Sequence, residues 1–402
     1  MAALAVAALS ARVLAQAASR DGFDVVALDV FGDSDTLRAS SRWMPLASPG
    51  ALQIDPEQLL VALAELAQRG DVIGWIAGSG FEAAPELLER GAALLPLIGT
   101  PADAVRRVRG PQSFFERLAH AGIAHPQVRM TPPLQSAGWL SKDAGSSGGW
   151  HIRRVTEDDV ERAGPESGPA AAPAGPSTQG YYQREMTGVP MSATFIANGT
   201  DACVLGVNQQ IVRPLGARPF VFCGVIGPVP VPADVSQHIG SVLRRLVAAF
   251  SLRGLGSLDF MVDDTGAVHV LEINPRPPAS LALYATRCAA ASSPASASVG
   301  VIAAHVRACL DRELPDLSQA AAGDLVQGTE IVFATRPLRL DDAGALRLAG
   351  LAGCHDLPRA ASRFSVGDPV CSVSAEGATA AEVRDRLDCG RDGVHQLLEA
   401  LR

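Results

Sequence analysis

Lysine is nearly missing from this chain: of its 34 basic residues one, Lys142, is a lysine and the other 33 are arginines. Clustered positive charge is missing too, and the formal net charge is −8. A nucleic-acid backbone is held by clustered Lys and Arg, so a nucleic-acid partner is not expected. The seven cysteines fall at irregular spacing with no CxxC pair, which argues against a zinc site and a disulfide framework and for free thiols in a reducing compartment. No uncharged stretch reaches the roughly 20 residues that span a bilayer. The alanine-rich start, Met1 to Ala18, lacks a basic leading segment and is interrupted by Arg12, so it reads as a strand, Leu4–Leu9, and a helix, Ala11–Arg20, rather than a signal peptide. A cytoplasmic, soluble protein without membrane contact is expected.

What is present is a long chain, 402 residues with 48% hydrophobic content, enough for two to four domains. Up to about residue 105, short apolar runs (Phe23–Asp29, Val72–Ala77) alternate with helical segments (Pro56–Arg69, Ala84–Arg90), the pattern of a parallel α/β sheet. A helix is expected over Ala102–Ala121. Then Trp139–Ile152 places apolar ends around a glycine-rich turn. From Glu161 to Thr178, 15 of 18 residues are Ala, Pro, Gly, Ser or Thr, the composition of a flexible loop. Strands resume at Tyr181 and run to about Asp264, broken by a helix near Val235–Phe250. Residues 281 to 312 read as helical, and the remainder mixes strands (Thr329–Ala334, Pro369–Ser374) with a closing helix, Ala380–Leu401.

The single lysine stands three residues before Gly145-Ser146-Ser147-Gly148-Gly149. An ammonium is a compact charge with rotatable donors, suited to a phosphate under a glycine-rich turn, where an Arg fork is wide and planar. The lysine precedes the glycines, so this is not the GxxxxGK[ST] loop, and a plain hairpin turn is the competing reading of the glycines alone.

A second constellation lies in LGSLDFMVDDTGAVHVLEINPRP, residues 255 to 277. A two-residue turn at Thr265-Gly266 sets Asp259 opposite Glu272, with Cβ atoms about 5 Å apart on one face of the hairpin. Asn274, two residues on, shares that face, while Leu258, Phe260, Leu271 and Ile273 take the core face. Two carboxylates and an amide oxygen make a hard-cation site, suited to two magnesium ions roughly 4 Å apart bridging a triphosphate. Arg276 follows on the same side. The competing reading, a solvated hairpin face, leaves the matched Asp and Glu unexplained.

These residues resemble the ATP-grasp superfamily: an aspartate, a glutamate thirteen residues on, and an asparagine two further. The resemblance implies that Asp259, Glu272 and Asn274 bind magnesium (two ions, with manganese as a substitute) between the phosphates of ATP. It also implies that Arg276, in the ExNxR version, stabilises the transferring phosphoryl group. Lys142 and the loop Gly145–Gly149 are similar to the family's mobile phosphate-covering hairpin, and Gln183, Arg184, Glu185 and Met186 to the hinge that reads adenine. Two departures stand out: a second lysine common near the start of the central domain is replaced by a segment with Arg107 and Arg109, and Pro190 occupies the position of a usual ribose-binding acid.

The implied fold is a multidomain α/β and α+β chain. Residues 1–105 would form a Rossmann-like pre-ATP-grasp domain, 106–300 the ATP-grasp domain (lid about 125–190, metal-binding part about 190–300), and 301–402 a small α+β region. The implied activity is an ATP-dependent carboxylate–amine ligase acting through an acyl phosphate on small-molecule carboxylate and amine substrates, with homodimerisation left open. The opening and closing segments are similar to predicted ligases related to the tyramine–glutamate ligases of one-carbon cofactor synthesis, which suggests cofactor tailoring. A bicarbonate-using carboxylase and a nucleotide-binding regulator without chemistry are the alternatives. Elsewhere, Ser10 reads as a helix cap, Asp33 and Asp35 as solvated loop residues, His125, beside Pro126, as part of a turn, His151 and His269 as structural, and Cys371 as core.

Overall fold

The computed structural model describes residues 2–48, 51–162, 180–285, 300–316 and 325–401. Most of the flexible stretch expected at 161–178, and the middle of the helical stretch expected at 281–312, lie outside these residues. A 3-10 turn, Ala279–Leu283, and a helix, Val301–Leu310, flank the latter.

The chain begins with a parallel four-stranded sheet in the order Arg42–Pro45, Asp24–Asp29, Ala3–Ala7, Val72–Ala77. Every residue of Ala3–Ala7 is buried because both faces of this strand are covered, as parallel sheets require. Leu4 and Val6 pack with Leu14 and Ala15 of helix Arg12–Arg20. Ala3, Ala5 and Ala7 pack with Leu59, Leu63 and Leu66 of helix Pro56–Arg69. That helix starts where Asp55 accepts from the amides of Glu57 and Gln58 and stops at left-handed Gly70, both legible signals. The strand Arg42–Pro45 carries no sequence signal: it has four residues at a partly exposed edge and no alternating pattern.

The helix expected over 102–121 is two helices, Ala102–Arg109 and Pro111–His120. Gly110 precedes a proline, which disfavours helical backbone, and its ψ of 116° turns the chain. Pro111 then opens the second helix at the position where its missing amide costs nothing.

The centre is an antiparallel eight-stranded sheet, in the order Val268–Asn274, Arg253–Val262, Val189–Asn198, Ala202–Leu215, Arg218–Gly227, Val326–Phe333, Pro369–Gly377, Cys354–His355. Strands from both sides of residue 300 therefore share one sheet. Helices Pro111–His120 and Ala233–Phe250 cover its first half, where Phe114, Leu118, Val242 and Leu246 meet Phe195, Leu258, Phe260 and Ile273. Helix Ala380–Ala400 covers the other half through Val383, Leu387 and Val394. A smaller antiparallel sheet, Val128–Arg129, Gly180–Arg184, Trp139–Asp143 and Arg153–Arg154, stands beside it. Among the described residues no helix is long and apolar enough to cross a membrane.

Candidate active site

The hairpin that carries the acidic residues pairs Asp259 directly with Glu272 and Ser257 with Asn274. The route to this register differs from the expected two-residue turn. The Asp263 amide donates to the carbonyl of Ala267 (3.1 Å), so three residues, Asp264, Thr265 and Gly266, make the loop. The Asp263 carboxylate organises it by accepting from the amides of Thr265 (2.9 Å) and Ala267 (3.0 Å) and from His269 (2.9 Å). The one-residue offset is cancelled between Phe260 and Asp259, where Leu271 is bulged out of the ladder. The bulge also turns Leu271 away from the core: Leu258, Phe260 and Ile273 are buried as expected, whereas Leu271 lines a cavity together with Met261 and Glu272.

That cavity, about 810 Å³, opens between the two antiparallel sheets and the N-terminal sheet. Asp259, Glu272, Asn274 and Arg276 enter it from the hairpin. The Asn274 amide donates to Asp259 (3.2 Å), and Ser257 donates to the other Asp259 oxygen (3.2 Å). Burial, and then the charge of Glu272, pushes the Asp259 carboxyl up to about 7. Glu272 moves the other way: burial opposes ionisation, but Arg109 and Lys142 outweigh it and hold the carboxyl below its usual range. Two facing carboxylates whose mutual repulsion raises one pKa are a fit for a divalent cation. Among the described residues no group of three His, Cys, Asp or Glu converges, so a cation here would meet two carboxylates and an amide. Such a set leaves coordination positions for phosphate and water.

Lys142 reaches the cavity from the strand Trp139–Asp143. Its side chain makes no hydrogen bond or ion pair among the described residues; burial lowers its pKa, and the charges of Glu272 and Asp259 oppose that shift. After it the glycine-rich turn is tied down at both ends. Asp143 accepts from the amide of Gly145 (2.9 Å), and the Gly148 carbonyl accepts from the amide of Phe222 (2.9 Å). Gly149, at φ +76°, lies so close to the strand Arg218–Gly227 that a Cβ would run into the Phe220 carbonyl oxygen. Ser147, Gly148 and Gly149 line the cavity, while Gly145 and Ser146 sit behind it.

Of the two arginines that stand where a second lysine is common, Arg107 turns outward to Asp103 and the Phe250 carbonyl. Arg109 is buried and grips the site from behind, donating to Glu272 (3.0 Å) and to the carbonyls of Ala144 (2.7 Å) and Ser146 (3.0 Å). One side chain thus joins the glycine-rich turn to the acidic hairpin. His151, expected to be structural, lies on the cavity wall with Nδ1 unpartnered among the described residues, and burial pushes its pKa down to about 4.

The hinge segment Gln183, Arg184, Glu185 and Met186 lines the same cavity. Gln183 is 2% exposed, and its amide nitrogen has no hydrogen-bond acceptor among the described residues. A buried amide left unsatisfied costs roughly 1–3 kcal/mol unless a ligand completes it. Opposite, Arg276 is held by Glu82, which accepts from Nε at 2.5 Å. Glu82 also accepts from the amide of Gly80 (2.8 Å), so the Gly78-Ser79-Gly80 turn after the fourth parallel strand is built around it. No local pattern links Glu82 to Arg276, 194 positions away, or ties Arg109, which stands where the second lysine is common, to Glu272, 163 positions away.

The profile of the ATP-grasp domain matches residues 112–280, the segment that contains the glycine-rich turn, the hinge and the acidic hairpin. Residues 112–280 form an ATP-grasp domain. The carbamoyl phosphate synthase large chain of Thermus thermophilus is 25% identical over 190 residues, 45% of this chain, but this chain spans only 18% of that relative's length. Among solved structures, the N5-carboxyaminoimidazole synthase of Aspergillus clavatus superposes with a TM-score of 0.68 at 16% identity, covering 98% of each chain. The L-amino acid ligase of Bacillus licheniformis superposes with a TM-score of 0.65 at 14% identity, over 98% of this chain and 97% of that one. At these identities the structural likenesses establish the ATP-grasp fold, whose mixture of a parallel α/β sheet and antiparallel sheets is the one described above.

Proposed function

We propose that this chain is an ATP-dependent ligase that activates a carboxylate as its acyl phosphate and passes the acyl group to an amine. The observation that carries the reading is the register of Asp259 with Glu272 on one face of a cavity that also receives the chain's single lysine. In this reading Gln183 to Met186 border the adenine, Leu271 and Met261 flank its face, and Gln183 gains the acceptor its amide lacks. Lys142 and the amides of Ser147, Gly148 and Gly149 take phosphate oxygens, while those of Gly145 and Ser146 donate to Asp143 and hold the turn. Asp259, Glu272 and Asn274 would hold magnesium, two ions or manganese in its place, which neutralises phosphate charge when bound. Arg276, its Nε engaged by Glu82, offers its outer nitrogens to the phosphoryl group in transfer. The protein's contribution is positioning and charge neutralisation, with water kept out by the turn.

Residues 1–105, 106–300 and 301–402 serve in this reading as substrate-facing module, nucleotide module and C-terminal cover. Small-molecule carboxylate and amine substrates, and a role in cofactor biosynthesis, belong to the same proposal. The deciding experiment is ADP release from Mg-ATP by the purified protein against a matrix of amino acids, amines and bicarbonate. ADP formed only with one carboxylate–amine pair supports the ligase. ADP formed with bicarbonate alone overturns it in favour of a carboxylase, and nucleotide binding without ADP from any combination overturns it in favour of a regulator.

A further inference from the structure

The small antiparallel sheet turns one face to the cavity, and its register decides which side chains lie there. Leu140 pairs with Gln183, and Lys142 with Tyr181, across the strands Trp139–Asp143 and Gly180–Arg184. Directly paired residues point to the same side with Cβ atoms about 5 Å apart, and residues two apart share a face. All four line the cavity, whereas Ser141 and Tyr182, the pair between them, do not. The Leu140–Gln183 pair lies toward the hinge. The Lys142–Tyr181 pair lies about 7 Å further along the strands, toward the glycine-rich turn.

Gln183 and Lys142 already have a part in the nucleotide reading; Tyr181 does not. It is 7% exposed, and its ring packs on Phe115 (centroids 5.9 Å apart) in the cluster that holds Phe114, Ala144 and Met191. A phenylalanine would fill that place equally well. The hydroxyl makes no hydrogen bond among the described residues, and protein does not seal it in, so the surface it keeps opens onto the cavity. A tyrosine this buried normally finds a partner for its O–H. Burial, then the charge of Glu272, pushes the phenol well above its usual range, so the oxygen keeps its proton. Arg109, standing where a second lysine is common, brings no free donor to this place. Its two outer nitrogens are engaged by Glu272 and by the carbonyls of Ala144 and Ser146.

We infer that the Tyr181 hydroxyl is a phosphate-binding donor, giving a hydrogen bond to a non-bridging oxygen of the bound nucleotide beside Lys142. The inference rests on the nucleotide site of the ligase reading and not on the ligase chemistry. On this face a charged donor and a neutral one then stand side by side. The ammonium neutralises phosphate charge, and the phenol adds a directed bond whose strength comes from the anionic acceptor. A carboxylate of the site is a poorer acceptor for it, because Glu272 is held by Arg109 and makes no bond to the phenol. A role at the adenine is disfavoured by the register, since Leu140 and Gln183 occupy that level of the face.

The test is calorimetry on the full chain with Mg-ATP, Mg-ADP and adenosine, comparing the unsubstituted protein with Tyr181→Phe. The variant keeps its ring on Phe115 and is expected to unfold at the same Tm or slightly above it, because the hydroxyl it loses has no partner in the fold. Mg-ATP and Mg-ADP are expected to bind about tenfold more weakly, with adenosine unchanged. Undiminished Mg-ATP binding overturns the inference. So does an equal loss for adenosine, which would put the hydroxyl at the base, and so does a lower Tm, which would give it a partner inside the protein. Loss of phosphate-dependent affinity in Tyr181→Phe, with no ADP formed from any substrate pair, would sink the ligase chemistry and leave the phosphate contact standing. ADP formation by the unsubstituted chain, with normal Mg-ATP binding by Tyr181→Phe, would do the reverse.

Discussion

Glu82 and Arg276 lie 194 positions apart in the chain and 2.5 Å apart in the fold. The contact joins the turn after the fourth parallel strand to the end of the acidic hairpin, so the N-terminal sheet aims an arginine that lines the cavity. If Arg276 acts on the transferring phosphoryl group, Glu82→Gln should lower turnover by about 10–100-fold while leaving the KM for ATP near its original value. Combining it with Arg276→Ala should add little to the loss from Arg276→Ala alone, because both remove one function. Additive losses in steady-state kinetics would argue against a positioning role.

Glu272→Gln preserves shape and removes a charge from the facing pair. Loss of a like charge lets the Asp259 carboxyl fall back toward its usual range, and Arg109 loses its anionic partner. ADP release should drop by about 100-fold or more, with higher magnesium needed for half-maximal rate. Normal turnover at normal magnesium in this variant would undo the assignment of the hairpin as a metal site.

Gly149→Ala tests the glycine-rich turn. At φ +76° the new methyl group is both strained and aimed at the Phe220 carbonyl, so the turn must lift off its strand. A stability loss of roughly 1–3 kcal/mol in denaturant titration is expected, with weaker ATP binding. Gly266→Ala, at a similar φ but with open space around it, should leave ATP affinity unchanged.

His305 provides a pH dependence. It is 1% exposed; Nδ1 accepts from the Leu255 amide (2.8 Å), which places the proton on Nε2, bonded to the Ile98 carbonyl (2.9 Å). Burial lowers its pKa to about 4 from an unfolded value of 6.5. The unfolded chain then binds the extra proton first, so the contribution is intact above about 6.5 and is lost as pH falls toward 4. That interval corresponds to roughly 3 kcal/mol. His305→Gln should show a shallower loss of unfolding free energy between pH 6.5 and 4, and parallel curves for the two proteins would contradict a neutral imidazole protonated on Nε2.

Local signals in this sequence were readable and distant pairings were not. Asp55, Pro56 and Gly70 announce their helix within a few residues, whereas Gly110-Pro111 divides two helices although the apolar spacing continues across it. In the hairpin, Asp259 opposite Glu272 was anticipated from a two-residue turn; the real three-residue turn reaches the same pairing through the bulge at Leu271, a residue apolar enough for either face. Asp33 and Asp35 read as solvated loop residues, yet both are buried. Nothing within a short window reveals that Asp35 receives the amides of residues 356 and 357, 321 and 322 positions on. Ser10 likewise donates to Asp356 instead of capping its own helix.

The isolation of Lys142 has a practical consequence. Primary amines are the targets of acylating reagents, of aldehyde condensation and of enzymatic lysine acylation, and this chain offers one such side chain, inside the cavity. Labelling that spares the α-amino group therefore reports on one address, and its protection by a bound nucleotide can be read from the mass of the intact protein. Whatever chemistry marks lysine side chains meets no decoy in this sequence, so any such mark would be written inside the cavity.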